Sequence, residues 1–307
     1  MSKLLAMFPG QGSQYVGMGR DLLARFPYTG AIFEEAEEAT KAPIRQLCFD
    51  GPDDALKLTA NTQPCILTVS VAAWRVLVQE KGIKPDFFAG HSLGEYSALV
   101  AAGKLSLGRA AFLVRRRGEA MQRAVPEGVG AMAAVMNLPA ADLEAKAQAC
   151  SKPGDVVEVV NYNSPQQLVV AGHKGAVERL VKELEAIKIR SVMLPVSAPF
   201  HSSLMLKARE DMAPLLNETK FESNDTQVIA NISGRVEQPY TAKLLIEQIN
   251  GAVRWTQTLE TAVAAGCTAF TEVGPGKVLM GLARRTLPKD AVLQTSEDLT
   301  KPLPPSF

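Results

Sequence analysis

The chain has 307 residues, of which 47% are hydrophobic and 21% charged. That mixture excludes disordered and fibrous classes, and the length suits one large domain carrying a smaller one. Lys plus Arg number 33 against 32 Asp plus Glu, so no global field draws the chain to nucleic acid or an anionic membrane, and a charged partner has to meet a local patch.

Leu4 to Phe8 is a short apolar run stopped by Pro9-Gly10, the pattern of a buried strand feeding a loop. It is too short for a signal-peptide core, and no apolar stretch approaches the roughly 18 residues of a membrane span, so a cytoplasmic location is expected. Helical periodicity follows over 32–39 and, more strongly, over 63–79, where Gly82 and Pro85 close it. Residues 86–89 read as a second short strand ending at Gly90-His91-Ser92-Leu93-Gly94, after which 93–102 restarts as a helix. Strands alternating with helices predict an α/β fold with a mostly parallel sheet covered on both faces.

The rhythm then changes. Residues 131–136 are a strand, 140–149 a helix, 156–162 and 167–171 two strands about a turn at Asn163-Ser164-Pro165, 176–187 a helix and 189–196 a strand. That β-α-β-β-α-β order is the split unit of ferredoxin-like domains and places a small inserted domain at 128–197, within a large domain formed by 1–127 and 198–307. Beyond it, 228–232 and 269–273 read as strands and 242–249 as a helix, while the tail from Thr295 lacks periodicity and is expected to be loosely ordered. Cys48, Cys65, Cys150 and Cys267 lie far apart without metal-site or disulfide spacing and read as reduced core thiols.

Gly90-His91-Ser92-Leu93-Gly94 matches G-x-S-x-G between a strand and a helix, the setting of a nucleophile elbow; the alternative is a helix-capping serine. A serine hydroxyl needs a base, and the chain has three histidines. His91 neighbours Ser92 on the turn, where adjacent side chains diverge, and His173 opens a helix of the inserted domain. Elimination leaves His201, in a loop returning to the large domain. The amide of Leu93 and that of Gln11, in the glycine-flanked loop Pro9 to Gln14, are candidates for an oxyanion hole. That loop lacks the third glycine of a dinucleotide fingerprint, Tyr15 standing in its place, and Gly274-Pro275-Gly276-Lys277 lacks the Ser/Thr of a P-loop. No acid between Ser92 and His201 stands out as orienter of the imidazole, so a backbone carbonyl or an amide side chain is left for that role.

Six segments, Phe8-Pro-Gly-Gln-Gly-Ser-Gln14, Gly90-His-Ser-Leu-Gly-Glu-Tyr-Ser97, Arg117-Gly-Glu-Ala-Met-Gln122, Asn161-Tyr-Asn-Ser-Pro165, Pro199-Phe-His201 and Glu272-Val-Gly-Pro-Gly-Lys277, together resemble malonyl-CoA:acyl carrier protein transacylases of fatty acid synthesis. The resemblance spans nearly the whole chain in order. It implies a hydrolase-like large domain with a ferredoxin-like insertion, and transfer of a malonyl group from malonyl-CoA to the phosphopantetheine thiol of acyl carrier protein through a malonyl-serine, in ping-pong fashion. It further implies Ser92 as nucleophile, His201 as base oriented by the backbone carbonyl of Gln248, the Gln11 and Leu93 amides as oxyanion hole, and Arg117 as clamp for the malonyl carboxylate. Asn161 and Asn163 match positions near the acyl pocket, turn formation being their other reading, and Phe200 matches the malonyl-selecting form of its motif. No metal and no cofactor is implied, coenzyme A thioester being a substrate, and a monomer is expected. A guanidinium offers a carboxylate a bidentate fork. A thioester hydrolase using the same site, a silent carrier-protein binding module and a transferase serving a polyketide synthase are the competing readings.

Overall fold

A computed structural model describes residues 2–196 and 198–298. In chain order the strands are β1 (Lys3–Phe8), β2 (Phe87–Gly90), β3 (Gly130–Met136), β4 (Val157–Ser164), β5 (Gln167–His173), β6 (Ser191–Met193), β7 (Gln227–Ile229), β8 (Cys267–Glu272) and β9 (Val292–Thr295). The first sheet has the order β7-β2-β1-β8-β9 with all neighbours parallel. β1 shows why its residues are apolar without alternation: Leu4, Ala6 and Phe8 enter the core on one face and Leu5 and Met7 the core on the other. Phe8 pairs with Gly90, so β1 and β2 deliver their carboxyl ends to the same edge of the sheet.

Helices Thr59–Lys81 and Leu107–Arg123 cross in the larger core. A Cβ on Gly118 would lie 2.7 Å from the Thr59 carbonyl oxygen, so the two backbones touch there. The close crossing carries the adjacent Arg117 into the interior, where it is 1% exposed.

The second sheet is antiparallel, in the order β4-β5-β3-β6, with helices Ala140–Cys150 and Lys174–Ala186 in the connections. Two details differ from expectation. β4 runs on through Asn163 and Ser164, so the turn is confined to Pro165-Gln166. β6 is only Ser191–Met193, because Pro195 has no N–H to give the ladder. Val253, packed in the core beneath the first sheet, pairs with β4 of the second, donating to Val160 O and accepting from Tyr162 N–H, both at 2.9 Å.

Among the described residues no helix is long and apolar enough to cross a membrane. Cys48, Cys65, Cys150 and Cys267 are buried free thiols. Of the tail, β9 ends at Thr295 and a short 3-10 turn covers Ser296–Asp298; the remainder of that expectation lies outside the described residues.

Candidate active site

Between the end of β2 and helix Gly94–Ala101 the chain reverses through His91, Ser92 and Leu93, with Ser92 in the left-handed region at φ 53°. A residue with a side chain holds that conformation only when its surroundings impose it. Here Asn231, just beyond β7, does so: its Oδ1 accepts the Ser92 N–H at 2.6 Å and its Nδ2 donates to Gly90 O at 2.6 Å. The flanking glycines are required by space. A Cβ on Gly90 would lie 2.0 Å from the Gly94 carbonyl, and one on Gly94 would lie 2.1 Å from Phe8 O. The result is a serine hydroxyl standing at the sheet edge.

His201 meets it there. Its Nε2 is 2.8 Å from Ser92 Oγ and its Nδ1 is 2.8 Å from the backbone oxygen of Gln248. A carbonyl only accepts, so Nδ1 carries the proton and Nε2 is free to take one from Ser92. Burial, reinforced by the Arg117 charge, lowers the His201 pKa to about 3, which keeps the imidazole in its basic form. A backbone carbonyl thus stands where a triad carboxylate would.

Arg117 closes the constellation. Its Nη2 donates to Ser92 Oγ at 3.0 Å and to Gln248 Oε1 at 2.8 Å, and its Nη1 donates to Gln63 Oε1 at 2.8 Å. Its guanidinium also lies 5.9 Å from the centre of the Tyr96 ring. Arg115 and Arg116 take a different course, pairing with Glu119 at 2.9 and 3.0 Å. Within a single turn of helix the chain therefore carries a half-buried Arg115, an exposed Arg116 and a buried Arg117, as the hundred-degree step per residue allows.

Beneath these groups lies Glu95, 1% exposed. It accepts from the Tyr240 hydroxyl at 2.6 Å, Gln248 Nε2 at 2.6 Å and the Asn231 N–H at 3.1 Å. Burial pushes its carboxyl up to about 7, against the opposing pull of these donors and of Arg117.

The cleft above Ser92 has a volume of about 170 Å³ and is lined by Gln11, His91, Leu93, Arg117, Asn161, Asn163, Phe200 and His201 together with apolar side chains. Asn161 and Asn163 are both buried strand residues of β4, and both line the cleft. This overturns the turn reading of the pair. Asn163 Oδ1 lies 2.8 Å from His91 Nε2, and the His91 ring sits 5.8 Å from that of Trp255, so His91 supports the loop. His173 stands at the N-cap position of its helix, and its Nδ1 accepts the Val156 N–H at 3.0 Å. The Gln11 loop reaches the elbow because Gly10 lies against it: a Cβ there would be 2.5 Å from His91 O. Neither the Gln11 nor the Leu93 amide donates to a partner among the described residues.

Residues 7–299 match the model of the acyl transferase domain family. The chain is 43% identical to the malonyl CoA-acyl carrier protein transacylase of Bacillus subtilis strain 168 over 93% of its own length and 90% of the relative's. It is 44% identical to the transacylase of that name from Escherichia coli K12, over 93% of each chain. The chain belongs to the malonyl CoA-acyl carrier protein transacylase family. Among solved members of this transacylase family, FabD from Acinetobacter baumannii superposes with a TM-score of 0.93 at 39% identity, covering 97% of each chain. A malonyl-transacylase in complex with a type II PKS acyl-carrier protein superposes at 0.89 with 40% identity, covering 96% of this chain and 95% of that one.

Set against the transacylase site, the residues singled out from the sequence converge on one cleft. Four further side chains complete it: Gln63, Glu95, Asn231 and Tyr240. Glu95 stands in the elbow segment, and Gln63 is one of several buried polar residues of helix Thr59–Lys81, beside Thr62, Thr68 and Ser70. Asn231 and Tyr240 come from loops that follow β7, and nothing in their local sequence marks them.

Proposed function

We propose that this transacylase moves a malonyl group from malonyl-CoA to the phosphopantetheine thiol of an acyl carrier protein, in fatty acid synthesis, through a malonyl ester on Ser92. The observation that carries this reading is the buried Arg117 guanidinium 3.0 Å from Ser92 Oγ, a carboxylate receptor beside a nucleophile.

His201 Nε2 takes the Ser92 proton as Oγ attacks the thioester carbon, and the Arg117 charge favours the developing alkoxide. The amides of Gln11 and Leu93 receive the oxyanion. When the carbon–sulfur bond breaks, the imidazolium returns its proton to the departing thiolate, and coenzyme A leaves as the thiol. The carrier thiol then enters, gives its proton to His201 and attacks the ester, and Ser92 recovers the proton as it leaves. Acylation of Ser92 frees one Nη2 proton of Arg117 for the malonyl carboxylate, and such a charge-assisted bond is worth about 1.5–3 kcal/mol. Asn161, Asn163 and Phe200 shape the acyl pocket. The reading assigns no resident cofactor: the thioester is substrate, and the phosphopantetheine belongs to the carrier protein.

The ordering of the second sheet, β6-β3-β5-β4, supports a ferredoxin-like reading of an inserted domain over 128–197 within a hydrolase-like domain. The solved malonyl-transacylase complex supports a carrier protein as acceptor. Initial rates with malonyl-CoA and carrier protein varied together test the scheme. Parallel double-reciprocal lines are expected, and intersecting lines would rule out an obligatory acyl-enzyme.

A further inference from the structure

The mechanism above makes no use of one ionisable group in the site, the carboxyl of Glu95. Its two oxygens are divided. Oε1 accepts from Tyr240 at 2.6 Å and from the Asn231 N–H at 3.1 Å, while Oε2 accepts from Gln248 Nε2 at 2.6 Å. All these partners donate, so the position is built for an acceptor-only carboxylate.

The side-chain amide of Gln248 has two ends of the same shape and opposite polarity. Its nitrogen reaches Glu95 and, at 2.9 Å, Ser92 O; its oxygen receives Arg117 Nη2 at 2.8 Å. Turned over, the amide would set its oxygen against two acceptors and its NH₂ against a guanidinium. In a buried site each such mismatch strands polar groups away from water. Of the two acceptors the carboxylate oxygen of Glu95, when ionised, is the stronger constraint on which end faces which way.

We propose that Glu95 is a positioning residue of malonyl transfer: by accepting from Gln248 Nε2 it fixes that amide with Oε1 toward Arg117 and so holds the guanidinium at Ser92, ready for the substrate carboxylate. The inference rests on the role given to Arg117 above. It makes Glu95 a determinant of specificity at one remove, acting on acyl groups that carry a carboxylate and hardly on an acetyl group, which makes no use of Arg117.

Glu95→Gln separates this from a merely structural role, because shape is kept while polarity changes. The introduced amide keeps its oxygen on the Tyr240 and Asn231 donors, which turns its NH₂ toward Gln248 Nε2. Gln248 must then turn over or give up the contact, and Arg117 loses its fixed acceptor. Single-turnover loading of malonyl and acetyl groups from their coenzyme A thioesters is measured for wild type, E95Q and E95D, with thermal melts alongside. E95D keeps the charge but shortens the reach to Gln248. The malonyl-to-acetyl ratio is expected to fall about tenfold or more in E95Q, and in the same direction in E95D. A structural carboxyl would lower the melting temperature and scale both substrates alike. A wild-type ratio in folded E95Q overturns the proposal, and if E95Q does not fold, a wild-type ratio in E95D does so. Wild-type enzyme that loads no malonyl group would instead refute the function on which the proposal rests.

Discussion

Arg117 Nη2 and Ser92 Oγ lie 3.0 Å apart in a site where the arginine is 1% exposed. A buried cation so placed has no water to fall back on, and its lowered pKa, caused first by burial, records that cost. Replacing Arg117 by Ala leaves a malonyl carboxylate in a partly dry pocket and removes the cation that faces Glu95 through Gln248. Breaking one side of a buried pair costs about 3–5 kcal/mol, or roughly two to three and a half decades in malonyl transfer. Acetyl transfer should fall less. The ratio of malonyl to acetyl loading in wild type and R117A is the measurement, and a drop smaller than about tenfold contradicts the clamp.

His201 gives a stability signature. Its folded value of about 3 lies below the 6.5 of an unperturbed imidazole. Between those values the unfolded chain binds a proton that the native chain refuses. The contribution is therefore fully present above pH 6.5 and is lost as pH falls through the window, at up to about 1.4 kcal/mol per pH unit. His201→Gln removes it. Urea denaturation of both proteins between pH 6.5 and 5 should show wild type losing stability faster than the variant, and parallel losses would contradict the shift.

Asn231 holds the elbow from outside it. Asn231→Ala strands the Ser92 N–H and the Gly90 carbonyl, each bonded at 2.6 Å in the native chain. An unsatisfied buried polar group costs about 1–3 kcal/mol, so a loss of about 2–6 kcal/mol is expected by denaturant titration. Loading should slow even at saturating malonyl-CoA, since Ser92 no longer has its φ of 53° imposed. Unchanged stability would show that the two contacts carry no weight.

Two glycines make a contrasting pair. Gly94→Ala drives a methyl to 2.1 Å from Phe8 O, and no soluble native protein is expected. Gly281, inside helix Val278–Ala283, has nothing within 4 Å of a built Cβ. Gly281→Ala should stabilise by about 0.5–1 kcal/mol, read as a raised melting temperature. The opposite order of effects would contradict the packing described for the elbow.

The elbow was legible because its information is local: an apolar run, two glycines around a serine, and a restarted helix. His201 was reachable by elimination among three histidines. What escaped is long-range. Asn231 contacts Ser92 across 139 positions and Tyr240 contacts Glu95 across 145, and no periodicity encodes such meetings. Helices Arg20–Arg25, Ile44–Phe49, Asp53–Lys57 and Val278–Ala283 are too short for a 3.6-residue stripe to declare itself. The turn expected at Asn163-Ser164-Pro165 was drawn from local turn chemistry. The ladder overrode it, because Ser164 still pairs with Gln167 across a bulge in β4.

The central claim is a malonyl ester on Ser92, and mass spectrometry tests it most directly. The protein is incubated with malonyl-CoA without carrier protein, and the intact chain and its proteolytic peptides are weighed for wild type and Ser92→Ala. One malonyl group per wild-type chain, mapped to the Ser92 peptide and absent from the variant, is the predicted result. A malonyl adduct that persists in Ser92→Ala, or that maps to another residue, would contradict the account.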